Sequence, residues 1–253
     1  MIKTQNLTKT YGKGDGKVTA LAGVDITIKD GEMVAIIGKS GSGKSTLLNL
    51  LGGLDKATEG KVFYNDTDLS TLNDTKLSEF RLKNIGFVFQ FFDLIPELTA
   101  EENVMFPAKL AKKKETSAGE LYTALEINDR VKHYPSELSG GQQQRAAIAR
   151  ALINDPDVIL CDEPTGNLDK RSGEEVMSLL KRLNKENGKT VIIVTHDSDI
   201  ASQCGRIIEL SDGRLANWTP AFPKPVSIMP AGFLLHFFSA QPAIDNPSAI
   251  GYN

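Results

Sequence analysis

The sequence predicts an α/β fold in which helices alternate with the strands of a mostly parallel sheet. Met33–Ile37 and Ile85–Gln90 are nearly continuous apolar runs, typical of strands buried on both faces. Helical patterns separate the predicted strands, as the crossovers of a parallel sheet require. The first strands have an antiparallel pattern and the middle of the chain is helical, so we expect a β subdomain and a helical subdomain attached to this core.

The N-terminal part begins with two predicted strands, residues 1–11 and 18–28, the second alternating and followed by the turn Asp30-Gly31. A glycine-rich loop follows the strand Met33–Ile37. The next elements are predicted as a helix over residues 44–54, a short strand over 61–64 and a helix over 73–83, with Asn73 or Asp74 as its N-cap.

The rest of the chain continues this alternation. Residues from about 100 to 130 predict helices, and the basic run Lys112–Lys114 between them predicts a solvated loop. The later elements are predicted as a helix after Gly141, a strand over 158–163, a helix over 172–185, a strand over 190–196, a short helix over 197–204 and a strand over 206–210 before the turn Asp212-Gly213.

The composition is that of an ordinary soluble globular protein: of 253 residues, 40% are hydrophobic and 24% charged. The formal net charge of −3 indicates neither a nucleic-acid binder nor a polybasic membrane anchor. The two cysteines, Cys161 and Cys204, form no CxxC pair, which fits a reducing cytosol. We see no secretory signal and no apolar run of the roughly 18–20 residues that cross a bilayer, so work at a membrane would need another chain.

Residues 219–253 differ in composition from the rest. Lys224 and Asp245 are their only Lys, Arg, Asp or Glu residues, and prolines recur too often for a helix or a sheet. We therefore expect one domain at residues 1–218, with the helical subdomain at about 91–150. The tail is either a docking extension or, as we favour, a disordered tail, a cloning scar or the product of a shifted reading frame.

A glycine-rich loop between a predicted strand and a predicted helix carries the strongest chemical signal. It satisfies the pattern G-x-x-x-x-G-K-[ST] and consists of Gly38, Lys39, Ser40, Gly41, Ser42, Gly43, Lys44, Ser45 and Thr46. Glycines let backbone N–H groups approach an anion, and the helix N-terminus adds unpaired donors and partial positive charge. Lys44 is expected to reach the β- and γ-phosphates of ATP, and the Ser45 hydroxyl to hold Mg²⁺.

Two adjacent carboxylates, Asp162 and Glu163, end the predicted strand "VILCDE". Ligands of open parallel sheets bind outside these carboxyl ends. We expect Asp162 to hold the Mg²⁺ hydration shell and Glu163 to orient or deprotonate the water that attacks the γ-phosphate. The alternative is that they are two acidic residues in an exposed loop. The presence of the phosphate loop in the same chain favours the functional interpretation.

Three isolated residues matter only by position. Gln90 and His196 end predicted core strands, so the Gln90 amide could contact the metal or the water, and His196 a γ-phosphate oxygen. At a strand end such residues are usually structural; convergence above the phosphate loop favours function. Tyr11 either stacks on adenine or covers the end of the first strand.

A second set of small residues, Ser139-Gly140-Gly141, stands before a helix in the stretch "LSGGQQQR". A helix N-terminus of this kind also suits an anion. One nucleotide does not need two such sites from one subunit, whereas two copies arranged head to tail do. We therefore expect each copy to offer this stretch to the nucleotide held by the other.

Six segments resemble, in order, the phosphate loop, Q-loop, signature, Walker B, D-loop and H-loop of the ATP-binding cassette (ABC) ATPases. They are Gly38–Ser45, Gln90, Leu138–Gln142, Leu160–Glu163, Asn167–Asp169 and His196, and the resemblance covers residues 1–217. It implies a P-loop NTPase fold with a RecA-like core, an N-terminal antiparallel β subdomain and a helical subdomain. It also implies ATP and Mg²⁺ as cofactors and adenine stacking by Tyr11. The residues implied to contact the partner's ATP are Leu138, Ser139, Gly140, Gly141, Gln142 and Asp169.

Within this family, "STLLNLLGGLD", "GFVFQFFDLIPELTAEENV" and "DEPTGNLD" resemble the group of macrolide exporters and lipoprotein-releasing complexes. The resemblance implies ATP hydrolysis at the cytoplasmic face of the membrane as a peripheral subunit, a homodimer and a separate integral membrane permease. The apolar run Phe91–Pro96 is then the expected docking site for that permease or, alternatively, a packed loop. Cys161, where this group usually has alanine, is a departure.

Three other functions are weighed against this one. An ABC protein acting on nucleic acid usually has two cassettes or a long coiled coil, and neither is present, so no nucleic acid partner is expected. A small-molecule kinase would not need Leu138–Gln142. A mechanical regulator of cell division that acts through a membrane partner remains the main alternative.

Overall fold

The computed structural model describes residues 1–113 and 118–220. The strands of this described part are β1 (Ile2–Tyr11), β2 (Val18–Val24), β3 (Thr27–Ile28), β4 (Met33–Ile37), β5 (Glu59–Tyr64), β6 (Thr67–Asp68), β7 (Ile85–Val88), β8 (Val158–Asp162), β9 (Thr190–Val194), β10 (Arg206–Ser211) and β11 (Arg214–Pro220). Its α-helices are α1 (Lys44–Leu51), α2 (Asp74–Asn84), α3 (Ala100–Leu110), α4 (Gly119–Ala124), α5 (Gly140–Leu152), α6 (Lys170–Asn187) and α7 (Ser198–Ala201).

The central sheet has the strand order β11-β10-β4-β9-β8-β7. Every neighbouring pair from β10 to β7 is parallel, and only the edge strand β11 is antiparallel. This confirms the mostly parallel core. It also brings the carboxyl ends of β4, β9, β8 and β7 to one edge, where such sheets bind ligands.

The N-terminal strands form a second, antiparallel sheet in the order β2-β1-β5-β6, with β3 paired to β1. The expected β subdomain is therefore confirmed. The predicted strand over residues 18–28 is broken into β2 and β3, which pair with different parts of β1. Between them the Thr4 hydroxyl donates to the Val24 carbonyl at 2.8 Å and accepts from the Ile26 N–H at 2.9 Å.

Both faces of the central sheet are buried, as the continuous apolar runs predict. Met33 and Ala35 of β4 pack on one face with residues of α3, α5 and α6, whereas Val34 and Ile36 pack on the other face with α1 and the antiparallel sheet. Full burial of one such aliphatic side chain contributes about 1.5–3 kcal/mol. The strand ends that carry polar residues are therefore held by two apolar cores.

Helices α3, α4 and α5 fill the region predicted as helical. Thr99 caps α3 in a reciprocal capping box with Glu102. The fully buried Asn103 accepts from the Ile95 N–H at 2.7 Å, and its amide donates to the Ile95 and Leu98 carbonyls at 3.0 Å. These bonds fix the path of the chain before α3.

Several boundaries differ from the sequence prediction. Helix α1 ends at Leu51, because Gly52-Gly53 follows and Gly53 has a φ of 61°. Gln90 and His196 lie two residues beyond β7 and β9 rather than at their ends. Strand β11 was not predicted, and it continues to Pro220, past the predicted boundary at 218; residues 221–253 lie outside the described residues.

Lys112 and Lys113 are exposed beyond α3, and Lys114 lies outside the described residues. None of the helices found in residues 1–113 and 118–220 is long and apolar enough to cross a membrane.

Candidate functional site

A cavity of about 380 Å³ lies at the carboxyl edge of the parallel sheet. Its lining combines the phosphate loop with residues that follow β7, β8 and β9, and consists of Ala20, Ser40, Gly41, Gly43, Lys44, Ser45, Thr46, Gln90, Asp162, Glu163, Val194 and His196. The structure thus brings together four of the segments that the sequence predicts to meet.

The phosphate loop can follow its path only with glycine at two points. Gly38 has a φ of 152°, and a Cβ there would lie 2.3 Å from the Leu210 carbonyl oxygen; Gly43 has a φ of 99°, and a Cβ there would lie 2.4 Å from that of Ala20. Gly43 is also the N-cap of α1 and offers no side chain to the first-turn amides. These N–H groups therefore suit an anion in the cavity.

Lys44 is held across the loop. Its ammonium donates to the Gly38 carbonyl at 2.9 Å and to the Lys39 carbonyl at 3.0 Å. The charge is thus held at the loop, where a phosphate bound by the loop amides would meet it.

Ser45 and Asp162 connect the phosphate loop to β8. The Ser45 hydroxyl donates to Asp162 Oδ1 at 3.3 Å. Burial raises the pKa of Asp162, the Ser45 bond lowers it, and the neighbouring Glu163 carboxylate raises it. A hydroxyl, a carboxylate and the nearby Gln90 amide are the oxygen donors that Mg²⁺ prefers, so these three residues fit that ion.

Glu163 is held tightly at the cavity wall. Its backbone is left-handed, with a φ of 46°, and its N–H donates to the Val194 carbonyl at 2.9 Å. One carboxylate oxygen, Oε1, accepts from the His196 N–H at 3.1 Å and from His196 Nδ1 at 2.7 Å. The other accepts from the Thr195 hydroxyl at 3.3 Å. Because the Glu163 side chain is only 15% exposed and that of His196 is 73% exposed, the ring shields the carboxylate from solvent.

Gln90 is held through its backbone. Its carbonyl accepts from the Asn167 side-chain amide at 2.9 Å, and a Cβ at Gly166 would lie 3.0 Å from Gln90 Nε2. The D-loop segment therefore supports the residue that faces the cavity.

Tyr11, at the end of β1, does not line this cavity. Its hydroxyl donates to Asp55 Oδ2 at 2.8 Å, and the residue is 42% exposed. Burial, followed by the Asp55 bond, raises its pKa, whereas a hydrogen bond with Thr46 lowers it. Since Thr46 lines the cavity, Tyr11 stands at its rim.

The stretch Leu138–Gln142 also lies outside the lining. Ser139 is the N-cap of α5: its hydroxyl oxygen accepts from the Gln142 N–H at 3.3 Å, and the Gln142 side chain accepts from the Ser139 N–H at 2.9 Å. Asp169 is the N-cap of α6. Hydrogen bonds from the hydroxyl and the N–H of Ser172 lower the pKa of its carboxyl group.

A Cβ at Gly141 would lie 2.9 Å from the Ser172 hydroxyl, so the first turns of α5 and α6 are in contact. The phosphate loop lines the cavity and Leu138–Gln142 does not. The two candidate anion-binding segments of one chain therefore lie on separate surfaces, as the head-to-tail hypothesis requires.

The sequence prediction missed two residues that support the site. Thr195 precedes His196 and holds Glu163 as described above. Gln144 is fully buried in α5 and donates to the Pro164 carbonyl at 2.5 Å, directly after Glu163. A polar side chain on the apolar face of a predicted helix, one turn before Ile148, is the signal that could have indicated it.

Comparison with known proteins gives a consistent result. A family model described as "ABC transporter" matches residues 21–166. An uncharacterized ABC transporter ATP-binding protein of Methanocaldococcus jannaschii, MJ0796, is 51% identical in an alignment of 223 positions that covers 85% of this chain and 95% of that protein. The lipoprotein-releasing system ATP-binding protein LolD of Syntrophotalea carbinolica is 47% identical, over 85% of this chain and 96% of that protein.

The macrolide export ATP-binding/permease protein MacB of Escherichia coli (strain K12) is 48% identical over 88% of this chain, but the match spans only 35% of that longer protein. Among solved structures, the dimeric post-hydrolysis state of MJ0796 bound to ADP and Pi is similar with a TM-score of 0.83 and 47% identity, over 88% of this chain and 100% of that one.

The family model covers more than half of the chain, and two relatives are matched over nearly their whole length. This chain belongs to the ABC transporter family, as one of its ATP-binding subunits.

Proposed function

We propose that this chain binds ATP with Mg²⁺, hydrolyses it to ADP and phosphate within a dimer of two copies, and thereby drives a separate membrane permease. The observation that carries the proposal is a single cavity in which the Lys44–Ser45 end of the phosphate loop faces Asp162 and a Glu163 side chain held by His196. Phosphate-binding groups, metal donors and a base are there within reach of one γ-phosphate.

Each residue has one role in this reaction. The amides of residues 38–46 and the Lys44 ammonium hold the phosphates. Ser45, Asp162 and Gln90 would hold Mg²⁺, which when bound neutralises phosphate charge. Glu163 accepts a proton from the water whose oxygen attacks the γ-phosphorus. The bond to the β–γ bridging oxygen breaks, and ADP leaves with that electron pair.

In this structure His196 holds the Glu163 carboxylate and is not free to contact a phosphate in the same orientation. A neutral imidazole that donates from Nδ1 to Glu163 has no proton on its other ring nitrogen. To donate this proton to a γ-phosphate oxygen instead, the ring must therefore turn away from Glu163.

The site becomes complete when a second copy is added. The Ser139 oxygen already accepts from the Gln142 N–H, but its O–H proton is still available to a phosphate. With the amides of Gly140 and Gly141, it would contact the γ-phosphate held by the partner, and Leu138, Gln142 and Asp169 would surround that contact. The two similar MJ0796 structures are described as dimeric, which supports a dimer of two copies.

The permease would dock on a mainly apolar groove between α2, α3 and α5. The groove has a volume of about 670 Å³, and Leu54, Phe87, Phe89 and Leu110 are among its lining residues. The expected docking run Phe91–Pro96 contributes Asp93 to this lining, and its first residue, Phe91, is 72% exposed. The names of MacB and LolD support export or lipoprotein release as the process that ATP hydrolysis drives. This chain would then be a peripheral subunit on the cytoplasmic side of the inner membrane.

The proposal is tested by the steady-state ATPase rate of the purified chain at increasing protein concentration. We expect phosphate release per chain to rise with concentration, because two copies form each site. A rate per chain that stays constant down to concentrations where only monomer is present would contradict the dimer. No hydrolysis at any concentration, with ATP and Mg²⁺ in excess, would contradict the enzymatic role.

A further inference from the structure

A charged network behind Tyr11 has no role in the chemistry described so far. The Lys9 ammonium contacts Asp55 Oδ1 at 2.5 Å and donates to the Lys56 carbonyl at 2.8 Å. The other Asp55 oxygen accepts from the Tyr11 hydroxyl at 2.8 Å. One carboxylate therefore joins the lysine two residues before Tyr11 to the Tyr11 side chain itself.

The network is covered, unlike most ion pairs among the residues that the structure describes. The side chain of Lys9 is only 12% exposed and that of Asp55 30% exposed, whereas the adjacent pair Lys56–Asp74 is 73% and 85% exposed. Burial alone would raise the pKa of Asp55, but the bonds from Lys9 and Tyr11 hold it below its ordinary value. The carboxylate thus stays charged where it is needed as an acceptor.

Lys9 also fixes which face of the Tyr11 ring is free. Its ammonium lies 4.8 Å from the ring centroid, in cation–π range. Because the Lys9 side chain is covered and the residue Tyr11 is 42% exposed, the ammonium occupies the inner face of the ring and leaves the other face accessible. The hydroxyl, held by Asp55, prevents the ring from swinging away.

We propose that Lys9 and Asp55 are positioning residues that hold the Tyr11 ring as a one-sided platform for the base of the nucleotide. The inference rests on the proposed function, because it presumes a nucleotide in the phosphate loop. Thr46, which lines the cavity and lies beside Tyr11, connects the platform to that loop. Stacking on a ring already fixed loses less side-chain freedom on binding than stacking on a mobile one.

The test compares ADP, which has an adenine base, with pyrophosphate, which has none. Binding of ADP and of pyrophosphate, each with Mg²⁺, is measured by titration calorimetry. Tyr11→Phe keeps the ring and removes only the hydroxyl, so it should raise the Kd of ADP about threefold to tenfold, as expected for one lost hydrogen bond. The Kd of pyrophosphate should not change.

A double-mutant cycle shows whether Asp55 acts through Tyr11. Asp55→Asn should also weaken ADP binding, but in the Tyr11→Phe background it should have little further effect. Lys56→Met, which breaks only the exposed neighbouring pair, is the matched control and should leave both ligands unaffected.

Two results would overturn the inference. Equal changes for ADP and pyrophosphate would indicate a general charge effect on the phosphates. An undiminished effect of Asp55→Asn in the Tyr11→Phe background would separate Asp55 from the ring. If the unchanged chain bound pyrophosphate and ADP equally well, the role of Tyr11 as a platform would be contradicted but the phosphate site would not. If it bound neither ligand, the proposed function would be contradicted as well.

Discussion

Glu163→Gln separates the base function of this side chain from its place in the structure. Glutamine has the same shape, and its side-chain oxygen can still accept from the His196 N–H, which lies 3.1 Å from Glu163 Oε1. The amide cannot accept a proton from water. We therefore expect folding and nucleotide binding to persist and only the chemical step to fail.

The magnitude follows from the role. A positioned general base contributes about 10²–10⁴ in rate, which corresponds to about 3–5 kcal/mol of the barrier. We expect kcat for phosphate release under saturating ATP and Mg²⁺ to fall by about this factor, while the Kd of ATP changes less than about threefold. ATP-bound dimer should then accumulate in size-exclusion chromatography.

Glu186→Gln is the matched control, because it makes the same chemical change on the exposed surface near the C-terminal end of α6. It should leave kcat unchanged. A Glu163→Gln protein that retained kcat within tenfold of the unchanged chain would refute Glu163 as the base.

Three further predictions test the dimer, the core and the thiols. Ser139→Arg places a long cation at the surface meant for the partner's phosphate, so ATP-bound dimer should disappear from size-exclusion profiles while ADP affinity of the monomer persists; a stable dimer of this variant would contradict the head-to-tail arrangement. Leu180→Ala empties a fully buried position of α6 and should lower the free energy of unfolding by about 2–5 kcal/mol in urea titrations; a loss well under 1 kcal/mol would show that this core is loosely packed. Burial raises the pKa of both Cys161 and Cys204, that of Cys204 to about 12, so neither thiol should react with a thiol reagent at pH 8 until the protein unfolds; rapid labelling of the native chain would contradict that burial.

The parts of the site that follow one another along the chain could be predicted from the sequence. The phosphate loop and the Asp162–Glu163 pair each stand at the end of an apolar strand, and the fold and family implied by them are confirmed. Their assigned roles stay predictions until the variants are measured.

The parts that depend on contacts between distant residues could not be predicted. The bond that Gln144 donates to the Pro164 carbonyl and the bond that Tyr11 donates to Asp55 join residues 20 and 44 positions apart. The sequence around each donor does not indicate its acceptor. Strand β11 was missed for a different reason. Its residues follow the turn Asp212-Gly213 without a clear alternation, and pairing with β10 holds them as an edge strand.

The most direct test of the central claim, that each ATP site needs two copies, is to mix two inactive variants. Each site takes Glu163 from one chain and Ser139 from the other. In a mixed dimer of Ser139→Arg and Glu163→Gln chains, one site therefore contains both substitutions and the other contains neither. Each variant alone should be nearly inactive, and an equal mixture should regain part of the unchanged activity. About one quarter is the upper limit, reached only if the chains pair at random so that half of the dimers are mixed with one intact site each. The weak dimerisation of Ser139→Arg and the accumulation of Glu163→Gln dimers should keep the recovery below that limit. No recovery on mixing, with both variants folded and binding ADP, or full activity of Ser139→Arg alone, would contradict the account.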